Sequence, residues 1–208
     1  MQIIVTASAA MAGLGTGALV AGEIVRLYPG GASSAHVGAR RGLRLGLLSV
    51  ATAVLFAAAS LRASNLTQFL LLSLFGVALL ALTATDFERH LLPNRVMYPC
   101  LLAALVLSWA WPHRPPLSGL EGGVTGALVM LAVFLVLPGF GFGDVKLAGL
   151  IGLVLGFPGV LSGLLVGMIL GGVGAGWLLL SKRAGMRTAI AYGPYLAGGA
   201  ILEMLIRR

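Results

Sequence analysis

Apolar runs of about 16 to 20 residues, close to the length that crosses a bilayer as a helix, follow one another from end to end of this chain with only short polar breaks between them. A soluble domain of ordinary composition carries about 25% charged residues. Here 10% of the 208 residues are charged and 59% are hydrophobic, with a mean hydropathy of +1.02. The chain is therefore read as an all-α integral membrane protein, a polytopic helical bundle. Its expected spans lie near 3–25, 45–61, 67–85, 96–111, 119–137, 145–157, 160–180 and 192–206. The sixth would rise only about 20 Å against a hydrocarbon core of about 30 Å. The count is eight, or seven if that segment does not cross.

Residues 1–208 are expected to form one membrane domain, with a two-span N-terminal part at 1–61 and a core at 67–208. The first run has no positive segment ahead of it and is long for a signal-peptide core, so it is read as a retained span. Excess Lys and Arg mark cytoplasmic loops. With the first loop inside, Arg26, Arg40, Arg41, Arg44, Arg89, Arg95, Lys146, Lys182, Arg183 and Arg187 are cytoplasmic, 10 of the 14 basic residues. The net charge of +8 is thus mostly topology, and no basic soluble face with interleaved aromatics points to nucleic acid. Trp109, Trp111, Tyr98 and Tyr192 fall at span ends, as interfacial belts do.

Small residues let helices approach closely in lipid. Gly163, Gly167 and Gly171, then Gly172 and Gly176, repeat at four-residue spacing in the seventh run, and Gly122 and Gly126 do so in the fifth. They are read as internal packing rather than a dimer face. Cys100, alone in the chain, excludes an internal disulfide and any paired-cysteine zinc site, and is read as a buried thiol.

Six acidic residues remain to be explained. Glu23, Glu121 and Glu203 suit interfacial or helix-paired positions. Asp86 ends the third run and Asp144 opens the sixth, 58 residues further on, and the topology puts both at the cytoplasmic boundary. Each alone reads as a helix-border carboxylate. Together, two carboxyls at one depth can share a proton and activate water. Helix ends would favour charge on Asp144, at the start of a helix, over Asp86, at the finish of one. His90, four residues after Asp86, would share its face if the helix continued, but a metal site there is not expected.

Around these aspartates the chain resembles a known family. "GFGDVKL", with Gly141, Gly143, Asp144 and Lys146, looks like the GxGD motif of the type IV prepilin peptidases, a family of membrane aspartic peptidases. "DFERHLLPNRV", with Asp86, Pro93 and Asn94, is similar to the family's first-aspartate segment, and "AYGPYLAGGA", with Tyr192, Gly193 and Pro194, to its late Tyr-Gly-Pro segment. Presenilin-like proteases share GxGD but are expected to carry a late Pro-Ala-Leu segment, which this chain lacks. The resemblance covers most of the chain from about residue 67.

It implies a GxGD-type bundle in a bacterial cytoplasmic membrane, facing the cytoplasm with an Asp86–Asp144 dyad. Water would be the nucleophile, with no metal or cofactor needed to cut the leader from pilin-like precursors. Such precursors carry a short basic leader and an apolar helix, which would lie beside the spans in the lipid bilayer. Longer members carry paired CxxC motifs after the first span. Here "GGASSAHVGARRGLR" has no cysteine, which leaves N-methylation of the product in doubt.

Gly141 and Gly143 are expected to permit backbone approach that side chains would obstruct. Pro93 should end the helix that carries Asp86. Lys146 lies about 200° round the helix from Asp144 and is read as reaching for headgroups. The rival class is a small proton-coupled transporter with the aspartates as cation sites, against which the chain shows no detectable internal repeat.

Overall fold

The structure, a computed structural model, describes residues 2–27, 34–89, 92–112, 114–115, 117–137, 140–181 and 192–206, without the side chains of 3, 25–27, 34–45, 88–89 and 178–179. It is all-α, and among the described residues no strand occurs. His90 and the basic side chains Arg26, Arg40, Arg41, Arg44, Arg89, Lys182, Arg183, Arg187, Arg207 and Arg208 lie outside the described set. Among the described residues the α-helices are α1 (Gln2–Leu27), α2 (Ser34–Arg62), α3 (Leu66–Arg89), α4 (Asn94–Leu107), α5 (Ser118–Val136), α6 (Phe142–Leu155), α7 (Gly159–Leu180) and α8 (Gly193–Ile206). A short 3-10 turn, Ser108–Ala110, follows α4. Among the described residues four helices, α1, α3, α5 and α7, are long and apolar enough to cross a membrane by themselves.

Two compact units divide the chain, Met1–Ala81 and Leu82–Arg208, with the boundary inside α3. In the first, α1 packs on α2 through Gly13 and Gly17. A Cβ on Gly13 would lie 2.7 Å from the Ala53 Cα, and one on Gly17 2.6 Å from that of Ser49. The buried Thr52 hydroxyl donates to the Gly13 carbonyl at 2.7 Å, a cross-helix bond of the kind that holds apolar helices together. This glycine pair has the four-residue spacing noted elsewhere, but sequence analysis did not single it out. The helix α2 starts at Ser34 rather than near residue 45, so much of the polar stretch read as a loop is helical.

In the second unit α6 is the inner helix, buried along nearly its whole length from Asp144 to Leu155. Gly122 and Gly152 bring α5 and α6 into backbone contact, and a Cβ on Gly152 would lie 2.8 Å from the Gly123 Cα. The α7–α8 seam is equally close, with a Cβ on Gly167 falling 2.8 Å from the Leu196 Cα. Gly163, Gly167 and Gly171 therefore act in internal packing. Gly172 and Gly176 face open space and do not.

The short α6, 14 residues or about 21 Å, ends within the protein, and its last carbonyls must find donors. Arg114 supplies them, donating to Val154 O at 2.7 Å and Leu153 O at 3.1 Å. Gly156 then reverses the chain at φ +68°, in the left-handed region that glycine favours. Phe157 N–H donates to Ser118 O, and the Ser118 hydroxyl to Phe157 O, both at 2.9 Å. Gly156 is buried, whereas Phe157 and Pro158 are exposed.

Candidate active site

Three chain segments far apart in sequence meet at one end of the second unit. The first is the end of α3, where Asp86 is 6% exposed. The second is the start of α6, where Asp144 is 8% exposed. Neither is the solvated helix-border carboxylate that each alone suggested. Burying an ionised carboxylate is costly unless charge or hydrogen bonds compensate.

Asp144 finds compensation in the loop ahead of it. The Gly141 N–H donates to Asp144 Oδ2 at 2.9 Å, while the Asp144 N–H donates to Gly141 O at 2.9 Å. The first of these is one half of a capping box, and the second is a backbone turn bond. Burial nonetheless pushes the Asp144 carboxyl above the ordinary aspartate range; the Gly141 hydrogen bond pulls it back in part, and the nearby Asp86 charge adds to the rise. Asp86 and Asp144 are thus within electrostatic reach of each other.

The third segment is the start of α8. Asp86 lies against Gly193, so close that a Cβ there would stand 2.6 Å from Asp86 Oδ2. Tyr192 packs at a tilt on Phe140 of the glycine-rich loop, ring centroids 4.4 Å apart, and meets Tyr195 edge-on at 6.1 Å. Asp86 leaves the C-terminal end of α3 but abuts the first turn of α8, so each of the two carboxyls borders a helix N-terminus, a neighbour for Asp86 that the helix-end reading did not include. Pro194 occupies the first turn of α8, where its missing N–H costs nothing.

The remaining motif residues have structural partners. Pro93 stands in extended conformation just before α4 and separates it from α3, as expected. Lys146 Nζ donates to Asn94 Oδ1 at 2.9 Å and to Tyr98 OH at 3.1 Å, and lies 4.8 Å from the Tyr98 ring centroid. It joins α6 to α4 and takes no place beside the aspartates. Gly143 would press a Cβ to 3.2 Å from Leu92 Cδ1. Gly141, at φ −98°, has ordinary extended backbone, and its nearest neighbours would stand 3.8 Å from a Cβ. The obstruction expected at Gly141 is therefore absent.

Sequence reasoning missed two residues of the site, Phe140 and the contact face of Gly193. Phe140 carried a signal, an aromatic inside a glycine loop; the Gly193 contact carried none. Away from the site, Glu203 accepts a 2.7 Å bond from the Ser162 hydroxyl, a helix-paired carboxylate as read. Cys100 is a half-buried free thiol rather than a fully buried one.

The comparisons with known proteins converge on the same region. A family model described as the type IV leader peptidase family matches residues 72–176, half of the chain. A prepilin leader peptidase/N-methyltransferase of Bacillus subtilis (strain 168) is 30% identical over 158 residues, 74% of this chain and 62% of the relative. One of Pseudomonas putida is 30% identical over 164 residues, 76% of this chain and 57% of the relative. The chain thus spans about three fifths of the length of these curated relatives. No solved structure matches it. With half its length described by the family model, a segment that includes the buried Asp86 and Asp144, this membrane protein belongs to the type IV leader peptidase family.

Proposed function

We propose that the chain is a membrane aspartic endopeptidase that removes the N-terminal leader of pilin-like precursors at the cytoplasmic face of a bacterial membrane. The observation that supports this reading is the burial of Asp86 and Asp144, carboxyls carried on separate helices, with the Asp86 charge contributing to the rise of the Asp144 carboxyl. Mutual repulsion lets such a pair hold one proton, so that the ionised member takes a proton from water while the protonated member polarises the scissile carbonyl. The roles then exchange as the leaving amine is protonated. The precursor's apolar helix would lie in the lipid beside the spans, bringing the leader junction to the level of the aspartates.

Cleavage alone is proposed, because the segment after α1 carries no cysteine pair. Co-expression with a prepilin that has a short basic leader, followed by mass determination of its N-terminus, tests both points. The expected product is the leaderless chain without an added methyl group. A precursor left intact in the presence of the inserted wild-type protein would refute the proteolytic reading, and a methyl group that depends on this chain would refute the restriction to cleavage.

A further inference from the structure

The geometry points to Gly193 as the positioning residue for Asp86: its bare Cα is the seat against which that carboxyl rests, and any side chain at 193 would drive the carboxyl off its place. This rests on the reading of Asp86 as one of the two catalytic carboxyls. A Cβ at 193 would stand 2.6 Å from Oδ2 and 3.1 Å from Cγ of Asp86, but 3.6 Å from its Cβ. Only the carboxyl group is obstructed. The carboxyl has little freedom to yield, since Asp86 is 6% exposed. The glycine itself is held: it opens α8, whose first turn is closed by Leu196 N–H donating to Tyr192 O at 3.2 Å. Tyr192 in turn packs against the ring of Phe140, in the loop that delivers Asp144. The start of α8 therefore contacts both aspartate-bearing segments and sets one against the other.

The contrast with other glycines of the same helix makes the inference testable. Gly198 faces open space, while Gly199 packs on α7, where a Cβ would lie 2.7 Å from the Gly167 Cα. Gly193→Ala should lower kcat for a prepilin about 100-fold, as a displacement of about 1 Å in catalytic geometry does, with KM unchanged. Gly198→Ala should process at the wild-type rate. A second measurement needs no turnover. In the Asp86→Ala background the obstructed carboxyl is gone, so Gly193→Ala should lower the Tm of the detergent-solubilised full chain far less than it does in wild type, whereas Gly199→Ala should lower Tm equally in both. Equal Tm losses for Gly193→Ala in the two backgrounds, or a kcat unchanged by Gly193→Ala, would overturn the positioning role. If Asp86→Asn still cleaves, the catalytic reading beneath it falls as well; if Asp86→Asn is inactive while the Tm losses are equal, the positioning role alone falls.

Discussion

The rings of Phe140 and Tyr192 pack at 4.4 Å, tilted by 52°, and so tie the glycine-rich loop ahead of Asp144 to the first turn of α8. An aromatic pair of this kind is worth about 0.5–1.5 kcal/mol beyond its buried area. Its larger effect should be geometric, because the loop carries the Gly141 N–H that binds Asp144. Tyr192→Phe keeps the ring and should process prepilin at near the wild-type rate. Tyr192→Ala should lose most activity with a modest fall in Tm. Equal activity in the two variants would show that the ring contact does not position the loop.

Asp86→Asn and Asp144→Asn should each abolish nearly all cleavage while the protein remains inserted. Groups that act as a unit are non-additive, so the double variant should be scarcely slower than either single one. Initial-rate assays on purified, monodisperse variants check this. Independent, multiplying losses would mean that the two carboxyls serve separate steps.

Much of this arrangement was legible before the structure, and the rest was not, for physical reasons. The alternating direction of successive apolar runs put the ends carrying Asp86 and Asp144 on one side, and in the structure both border the start of α8 or the loop packed on it. The length of α6 was readable as too short. Its means of ending was not, since the donors come from Arg114, some 40 residues earlier in the chain. The Asp86–Gly193 contact was equally hidden: a glycine after a tyrosine signals a turn or a close approach without saying to what. Local chemistry marks helix ends; which helix end faces which carboxyl is decided by packing.

The rise in the Asp144 carboxyl has a pH consequence. Burial comes first among its causes, and the Asp86 charge adds to it. Replacing that charge by Asp86→Asn should let Asp144 ionise at lower pH than in wild type, as read from its carboxyl infrared band. For an acid whose folded pKa is raised, the unfolded chain gives up its proton first. The contribution to stability is thus fully present below the ordinary aspartate value of about 3.9 and is lost as pH climbs from there through the raised value. Asp144→Asn should flatten that part of the stability profile. An unchanged profile would show that water reaches the carboxyl.

Lys146 is expected to matter for packing, not for proton transfer. Its bonds to Asn94 and Tyr98 hold α6 to α4. Each is worth about 0.5–1.5 kcal/mol at most, toward the low end where solvent competes. Lys146→Met should lower Tm slightly and leave kcat within a few-fold of wild type. A loss comparable to that of the aspartate variants would place the ammonium in the chemistry.

Arg114 should be the residue on which the second unit's stability depends most sharply, although it lies at the other end of α6 from the aspartates. Its guanidinium donates to the carbonyls of Ser108, Leu153 and Val154 at 2.9, 3.1 and 2.7 Å, and lies 5.5 Å from the Trp111 ring centroid. In a bilayer no water replaces a lost donor, and each buried carbonyl left unsatisfied costs about 1–3 kcal/mol. Arg114→Met removes all three bonds at once and should leave little folded protein in the membrane. Arg114→Lys retains the charge but loses the planar fork that reaches several carbonyls together, so it should rescue only in part. Thermal unfolding in detergent, ranked wild type, Lys, then Met, is the expected result. Whatever Arg114→Lys enzyme folds should cleave with wild-type kcat, since the cap touches neither aspartate. If Arg114→Met folds as stably as wild type, the carbonyls of α6 are satisfied by another route, and the short helix needs a different explanation for ending where it does.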